Sequence, residues 1–220
     1  PNYQLNTDLV DRAITWMRNV KSTSTGKPYF LYMATGATHA PHHARREWID
    51  RFKGQFDMGW DAYRERAFER QKKLGVIPAD ARLTARPAVI KAWASYSPEQ
   101  QRIMARQMEV YAGFSAYTDH EIGRLLDAVA AMPDADNTLV MYIVGDNGAS
   151  AEGGPEGAYN EMMALNGIVG TYDQMAGHLD DWGSPDTFPH YAIGWAWATN
   201  APFQWTKQVA SHFGGTRNGM

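Results

Sequence analysis

The sequence predicts an α/β fold in which a mainly parallel sheet is flanked by helices. Three observations carry this. Residues 28–34 and 138–144 are short runs that are apolar almost throughout, as strands buried on both faces are. Helical patterns lie between them. Each run exits into a loop with Gly and polar residues, His39 after the first and Asp146 and Asn147 after the second, and ligands in such sheets sit beyond the carboxyl ends of the strands.

Thr7 and Asp8 read as a helix start, and Leu9, Val10, Ala13, Ile14, Met17 and Val20 then recur at helical spacing, so 8–20 is expected to be an amphipathic helix. A Ser/Thr/Gly loop precedes Tyr29, Phe30, Leu31, Tyr32 and Met33, the first strand. Residues 44–74 mix Arg, Lys, Glu and Asp along helical stretches, which suits a solvated face. Ser97, Pro98 and Gln100 match N-cap, N1 and N3, opening a long helix to about Met132. Pro133 to Asn137 stops it, and Leu139 to Val144 form the second strand. Residues 151–202, rich in Gly, Met, Trp and Tyr, lack clear periodicity, and so long a segment is more often functional than idle. Phe203 to Ala210 reads as a short helix before the Gly214-Gly215 turn.

Composition narrows the function classes. The 220 residues carry 21 Lys and Arg against 24 Asp and Glu, a net charge of −3 that offers no general field for nucleic acid or an anionic membrane. No apolar run approaches the roughly 18 residues of a membrane span. Cysteine is absent, which excludes a disulfide framework, a thiolate zinc site and a Cys nucleophile within these residues. The chain opens on Pro1 and closes on a glycine-rich turn, and is expected to be an internal piece of a longer protein. Compartment and oligomeric state are not readable from it.

Asp146 and Asn147, set between Gly145 and Gly148, offer a carboxylate and an amide oxygen, hard donors suited to Ca²⁺ or Mg²⁺. The same residues also make an ordinary turn. His39, His42 and His43 cluster around Pro41, and imidazoles there serve as anion contacts, as metal ligands or as structure. Lys207 and His212 precede Gly214-Gly215, where cations would offset charge on a transferring group or simply be surface residues.

Taken in chain order, four segments resemble sulfatases of the alkaline-phosphatase-like superfamily. They are the first apolar run leading into Thr38-His39-Ala40-Pro41, the helical stretch Tyr117 to Gly123, the second run leading into Gly145-Asp146-Asn147-Gly148, and Lys207 ahead of His212 to Arg217. The style of insertion, at about 44–96 and 151–202 within one catalytic domain, is similar to bacterial-type arylsulfatases. The resemblance implies hydrolysis of a small-molecule sulfate ester. His39, Lys207 and His212 would be catalytic, with His39 at the ester and Lys207 on sulfate oxygens. Asp146 and Asn147 would complete a divalent cation site, usually Ca²⁺, with Mg²⁺ the alternative. Six residues separate Lys207 from Gly214, more than the family usually has, which leaves His212 as a rival contact. The formylglycine nucleophile, the first pair of Asp ligands and the Lys-x-His support lie upstream in the family. This piece alone is therefore expected to be inactive and to bind Ca²⁺ poorly. Two other readings stand: a phosphodiesterase or phosphonate monoester hydrolase of the same superfamily, and a non-catalytic, degenerate member.

Overall fold

One 33-residue helix, Pro98–Ala130, organises the chain. At 1.5 Å per residue it is about 50 Å long. The computed structural model describes residues 3–145, 147–168 and 170–217. In chain order the helices are α1 (Leu5–Thr23), α2 (Arg46–Ile49), α3 (Gly59–Lys73), α4 (Pro98–Ala130), α5 (Glu161–Leu165), α6 (Tyr172–Gly177), α7 (Ile193–Thr199) and α8 (Phe213–Thr216), with short 3-10 turns between some of them. The start of α4 follows from its sequence. Ser97 accepts from the Gln100 amide, and the Gln100 side chain accepts in return from the Ser97 amide.

α1 begins earlier than its sequence cap suggests. Gln4 stands at the N-cap without a side-chain bond. Thr7 lies inside the helix, where its hydroxyl contacts the Tyr117 hydroxyl at 2.6 Å and donates to Glu121 at 3.0 Å. Val10, Ala13 and Met17 face Leu125 of α4 at helical spacing, so the α1–α4 seam combines an apolar stripe with polar stitches. Lys21 of α1 also pairs with Asp134 just beyond α4.

The expected parallel sheet is not there. The described residues are mainly helical and form no sheet; their strand pairing is limited to isolated bridges such as Ala158 with His190 and Asn160 with Phe188. In the first run Tyr29, Leu31 and Met33 pack against the α1–α4 seam while Phe30 and Tyr32 stand 84% and 79% exposed. The second run is exposed along its length, Leu139 at 85%. Apolarity identifies a segment suited to burial in a sheet, but a strand exists only where a neighbour takes up its backbone hydrogen bonds. Neither run has a ladder partner among the described residues. The helix expected over 203–210 also fails. Trp205 and Gln208 take positive φ of 66° and 75°, left-handed values that no helix accommodates.

The aromatic-rich stretch is the core. Trp60 of α3 meets Trp93 and Trp195 edge-on at 4.8 and 5.8 Å between ring centroids. The Trp195 indole donates to the Met104 carbonyl of α4 at 2.8 Å, which fastens α7 to the long helix. Arg64, 1% exposed, donates to the carbonyls of Trp197, Pro202 and Phe203 and lies over the Trp197 ring. Burial pushes its pKa down to about 10, which still leaves it charged at neutral pH. It thereby caps the end of α7 and fixes the corner that leads towards Lys207.

Two further contacts position the candidate site. Gln107 of α4 donates to the Glu156 carbonyl at 2.7 Å and accepts from the Ala192 amide at 2.9 Å, so one buried amide clamps the 150s loop to the 190s segment. Gly157, at φ 77°, passes so close that a Cβ there would meet that amide. Beyond it runs a backbone seam. Gly148 N–H donates to Gly215 O at 3.0 Å, Lys207 N–H donates to Ala149 O at 2.9 Å, and Asn200 accepts from Ala149 N–H and donates to Trp205 O, both at 3.0 Å. A Cβ on Gly148 would lie 1.6 Å from the Gly214 carbonyl oxygen.

The seam predicts that Gly148→Ala loses at least about 2 kcal/mol in urea unfolding, since backbone must move to admit the methyl group. A tolerated substitution would mean that the seam is loose. His42 generates a second expectation. It is 2% exposed among Tyr111, Phe114, His190 and Tyr191, and burial, with the neighbouring histidines, holds its pKa well below the ordinary value. As pH falls below about 6.5 the unfolded chain takes up this proton before the folded one, so stability is present above that pH and lost on descent towards the depressed folded value. The melting temperature should fall between pH 7 and 5, and fall less steeply in His42→Phe, with His190 supplying the remainder. Identical slopes would contradict this.

Candidate functional site

His39 and Lys207, 168 residues apart, meet: Lys207 Nζ stands 3.2 Å from His39 Nε2. His39 sits in the loop after the first apolar run, where its amide donates to Gly36 O. Its Nδ1 faces the Ala40 carbonyl at 2.9 Å. A carbonyl only accepts, so the neutral ring carries its proton on Nδ1 and turns the Nε2 lone pair towards Lys207. Lys207 reaches the same point from the far side of the seam, flanked by the left-handed Trp205 and Gln208. Non-glycine residues at positive φ are uncommon, and such strain concentrates where a side chain must be aimed.

A third group joins them. Glu152 Oε2 accepts from Lys207 Nζ at 3.3 Å and from Ser150 Oγ at 2.9 Å, and lies 3.7 Å from His39 Nε2. Glu152 Oε1 accepts from Gln208 Nε2 at 3.0 Å. Burial raises the Glu152 pKa, but the Ser150 and Lys207 hydrogen bonds and the nearby positive charge outweigh it and hold the carboxyl below its ordinary value. Behind Ser150 stands buried His190. Its Nε2 is 3.0 Å from Ser150 Oγ and its Nδ1 faces the Tyr191 carbonyl at 2.9 Å. Burial lowers the His190 pKa, so the ring is neutral at neutral pH and the single Ser150 hydroxyl proton faces two acceptors. Glu161, also buried, has its pKa raised by desolvation first, while His39 and Lys207 act in the opposite sense.

The other expected site residues fall elsewhere. His212 Nδ1 contacts Ser211 Oγ at 2.9 Å and its ring packs edge-on to Trp205. His42 and His43, the other two histidines of the loop, are core and scaffold: His42 is buried, and His43 Nε2 meets the Thr187 carbonyl at 2.7 Å. Asp146 lies outside the described residues. Asn147 is half-buried at the start of the seam and brings one amide oxygen, the donor type that Ca²⁺ or Mg²⁺ takes. Among the described residues no three His, Asp or Glu gather to hold a metal ion, so the described donors do not make a cation site on their own.

Sequence reasoning missed Glu152, Ser150 and His190. Glu152 and His190 lie in the aperiodic 151–202 stretch, where spacing carries no information about which side chains converge. That stretch also lines a cavity of about 410 Å³, with Gly153, Pro155, Tyr159, Met163 and Tyr96 in its wall. Neither His39 nor Lys207 lines it. No helix among the described residues is long and apolar enough to cross a membrane.

Residues 1–220 match the sulfatase family model. The chain is 34% identical over 197 residues to an arylsulfatase of Klebsiella aerogenes, covering 89% of this chain and 40% of the relative. It is 29% identical over 193 residues to an uncharacterised sulfatase of Schizosaccharomyces pombe, covering 86% of this chain and 33% of the relative. A sulfatase of Formosa agariphila is 22% identical over 148 residues, 64% of this chain and 27% of its own. The chain thus spans 40% or less of the length of these relatives. The match over the whole chain shows that it belongs to the sulfatase family.

Proposed function

We propose that this chain is part of a sulfuric ester hydrolase of arylsulfatase type, and that His39 and Lys207 handle the sulfate ester. The observation that carries the reading is the 3.2 Å approach of Lys207 Nζ to His39 Nε2 from opposite ends of the sequence. Lys207 is a compact cation with three donors, suited to the non-bridging oxygens of a sulfate. His39 presents a single nitrogen to the same point, and in its protonated form Nε2–H is placed to give a proton to the departing ester oxygen. When a nucleophile supplied by the whole protein attacks sulfur, the sulfuryl group would pass to it as the S–O bond breaks, and the ester oxygen would take the proton and leave as an alcohol or phenol. Glu152 offsets the charge of Lys207 and of protonated His39 between turnovers. His212 is the second candidate for a sulfate contact, held in reserve by its place before Gly214-Gly215.

Members of this family typically draw on a formylglycine for attack at sulfur and on a divalent cation for charge neutralisation. The chain contains no cysteine to supply the first. For the second, the same proposal assigns Asp146 and Asn147 as oxygen donors to Ca²⁺, with Mg²⁺ the alternative. Both groups, and the substrate, belong to the whole protein.

In the full-length protein, Lys207→Ala and His39→Ala should each lower kcat/KM on an aryl sulfate by about a hundredfold or more. An aryl phosphodiester hydrolysed with a far higher kcat/KM than the aryl sulfate would transfer the protein to the phosphodiesterase reading. Asp146→Ala should abolish most Ca²⁺-dependent turnover while the circular dichroism and melting temperature stay near wild type. Undiminished turnover would reduce Asp146 to a turn residue.

A further inference from the structure

A carboxylate is the wrong sign for a site that takes an anion, yet Glu152 sits at its centre. Its side chain is 29% exposed, and that of Lys207 is 22% exposed. Exposed ion pairs of this kind usually contribute little, because two long side chains must be held for a screened attraction. Glu152 is not such a pair. Ser150 and Lys207 converge on Oε2 with His39 close by, Gln208 occupies Oε1, and the Glu152 backbone N–H donates to Ser150 Oγ at 3.2 Å. Ser150 Oγ also lies 3.0 Å from Nε2 of His190, whose Nδ1 faces the Tyr191 carbonyl, so His190 competes with Glu152 for the one hydroxyl proton. The carboxylate's own partners come from the first loop, the 150s loop and the turn that carries Lys207, and the 190s segment lies behind Ser150.

We infer that Glu152 is a positioning residue, which holds Lys207 Nζ and His39 Nε2 together for the transition state while opposing the binding of sulfate in the ground state. The inference rests on the reading that His39 and Lys207 handle a sulfate ester. A lysine side chain has four freely rotating bonds, and a catalytic cation free to wander loses most of its value. Glu152 fixes the ammonium through a hydrogen bond and faces the positive charge that His39 carries when protonated. Both effects favour the arrangement needed when charge develops on the ester oxygens. The same negative charge repels a resting sulfate, a form of differential binding that spares kcat at the expense of affinity.

The test uses the full-length protein with Glu152→Gln, which keeps the shape and removes the charge, and Glu152→Asp, which keeps the charge and shortens the reach. kcat and KM are measured on an aryl sulfate, and the Kd of inorganic sulfate by calorimetry. Glu152→Gln should lose about tenfold or more in kcat, with KM and the sulfate Kd lower than in wild type. Glu152→Asp should recover part of kcat and restore the weaker sulfate binding. If kcat of Glu152→Gln stays within about twofold of wild type, the inference is overturned. A rise in KM together with a fall in kcat and in melting temperature overturns it as well, since that is the signature of a merely structural residue. Should the wild-type protein turn over no aryl sulfate, the functional reading fails by itself. The sulfate Kd then tests the ground-state half alone, tighter binding in Glu152→Gln showing that the carboxylate opposes an anion at this point and an unchanged value overturning that half as well.

Discussion

The site depends on a backbone contact that leaves no room for side chains. Gly148 lies against Gly214 and Gly215, and a short ladder from there passes Lys207 N–H to the Ala149 carbonyl. Because the contact is between main chains, it sets the position of everything downstream of Gly148 relative to everything just upstream of Gly214. Ser150 and Glu152 leave the seam on one side and Lys207 on the other, which brings the carboxylate and the ammonium to 3.3 Å. Asn200 braces the seam with its two amide bonds, and Arg64 braces the corner before it through the carbonyls of Trp197, Pro202 and Phe203, with the Thr84 hydroxyl as a further acceptor. A buried cation held mainly by carbonyls is a constraint on backbone path, since each of those carbonyls must point inward to keep its bond.

The second support is the long helix α4. It offers a scaffold on which α1, α2, α6 and the 190s segment rest, and most of its inward groups are apolar. Gln107 is one of its few buried polar groups, with Glu109, Thr118 and Glu121. A primary amide can donate and accept at once, and here it serves one segment with each function. Loss of either partner would strand a buried polar group, so the 150s loop and the start of α7 hold each other in place through it. Glu152 is therefore presented by a loop whose path is fixed at Gln107 and at the seam. The tryptophans of α3 and α7 fill the volume behind, so these tryptophans are core, while the 153–175 part of the aperiodic stretch lines the cavity.

How much of this was legible in the sequence varies from residue to residue. The capping box at Ser97 and Gln100 was, because a helix start is decided by bonds within four residues. The approach of His39 to Lys207 was legible only through resemblance to sulfatases, since nothing in the text between them encodes their distance. Glu152 was invisible, because an acidic residue among glycines has no period and no local partner. The sequence reads as a short helix over 203–210, but left-handed Trp205 and Gln208 break it.

The strand runs mark the same boundary. Their apolarity is a property of the residues, and the alternation of Tyr29, Leu31 and Met33 against the α1–α4 seam is what β-like geometry with one buried face demands. A sheet is a relation between segments, and the described residues offer these runs no partner. What the sequence by itself determined is therefore local or compositional: helix starts and stripes, the apolar runs, the lack of cysteine, and the family to which the ordered motifs belong. What only the tertiary structure decided is which distant polar atoms share a few ångströms. Hydrogen-bond and ion-pair energies fall steeply with distance, and distance between remote residues is set by packing that no single segment contains.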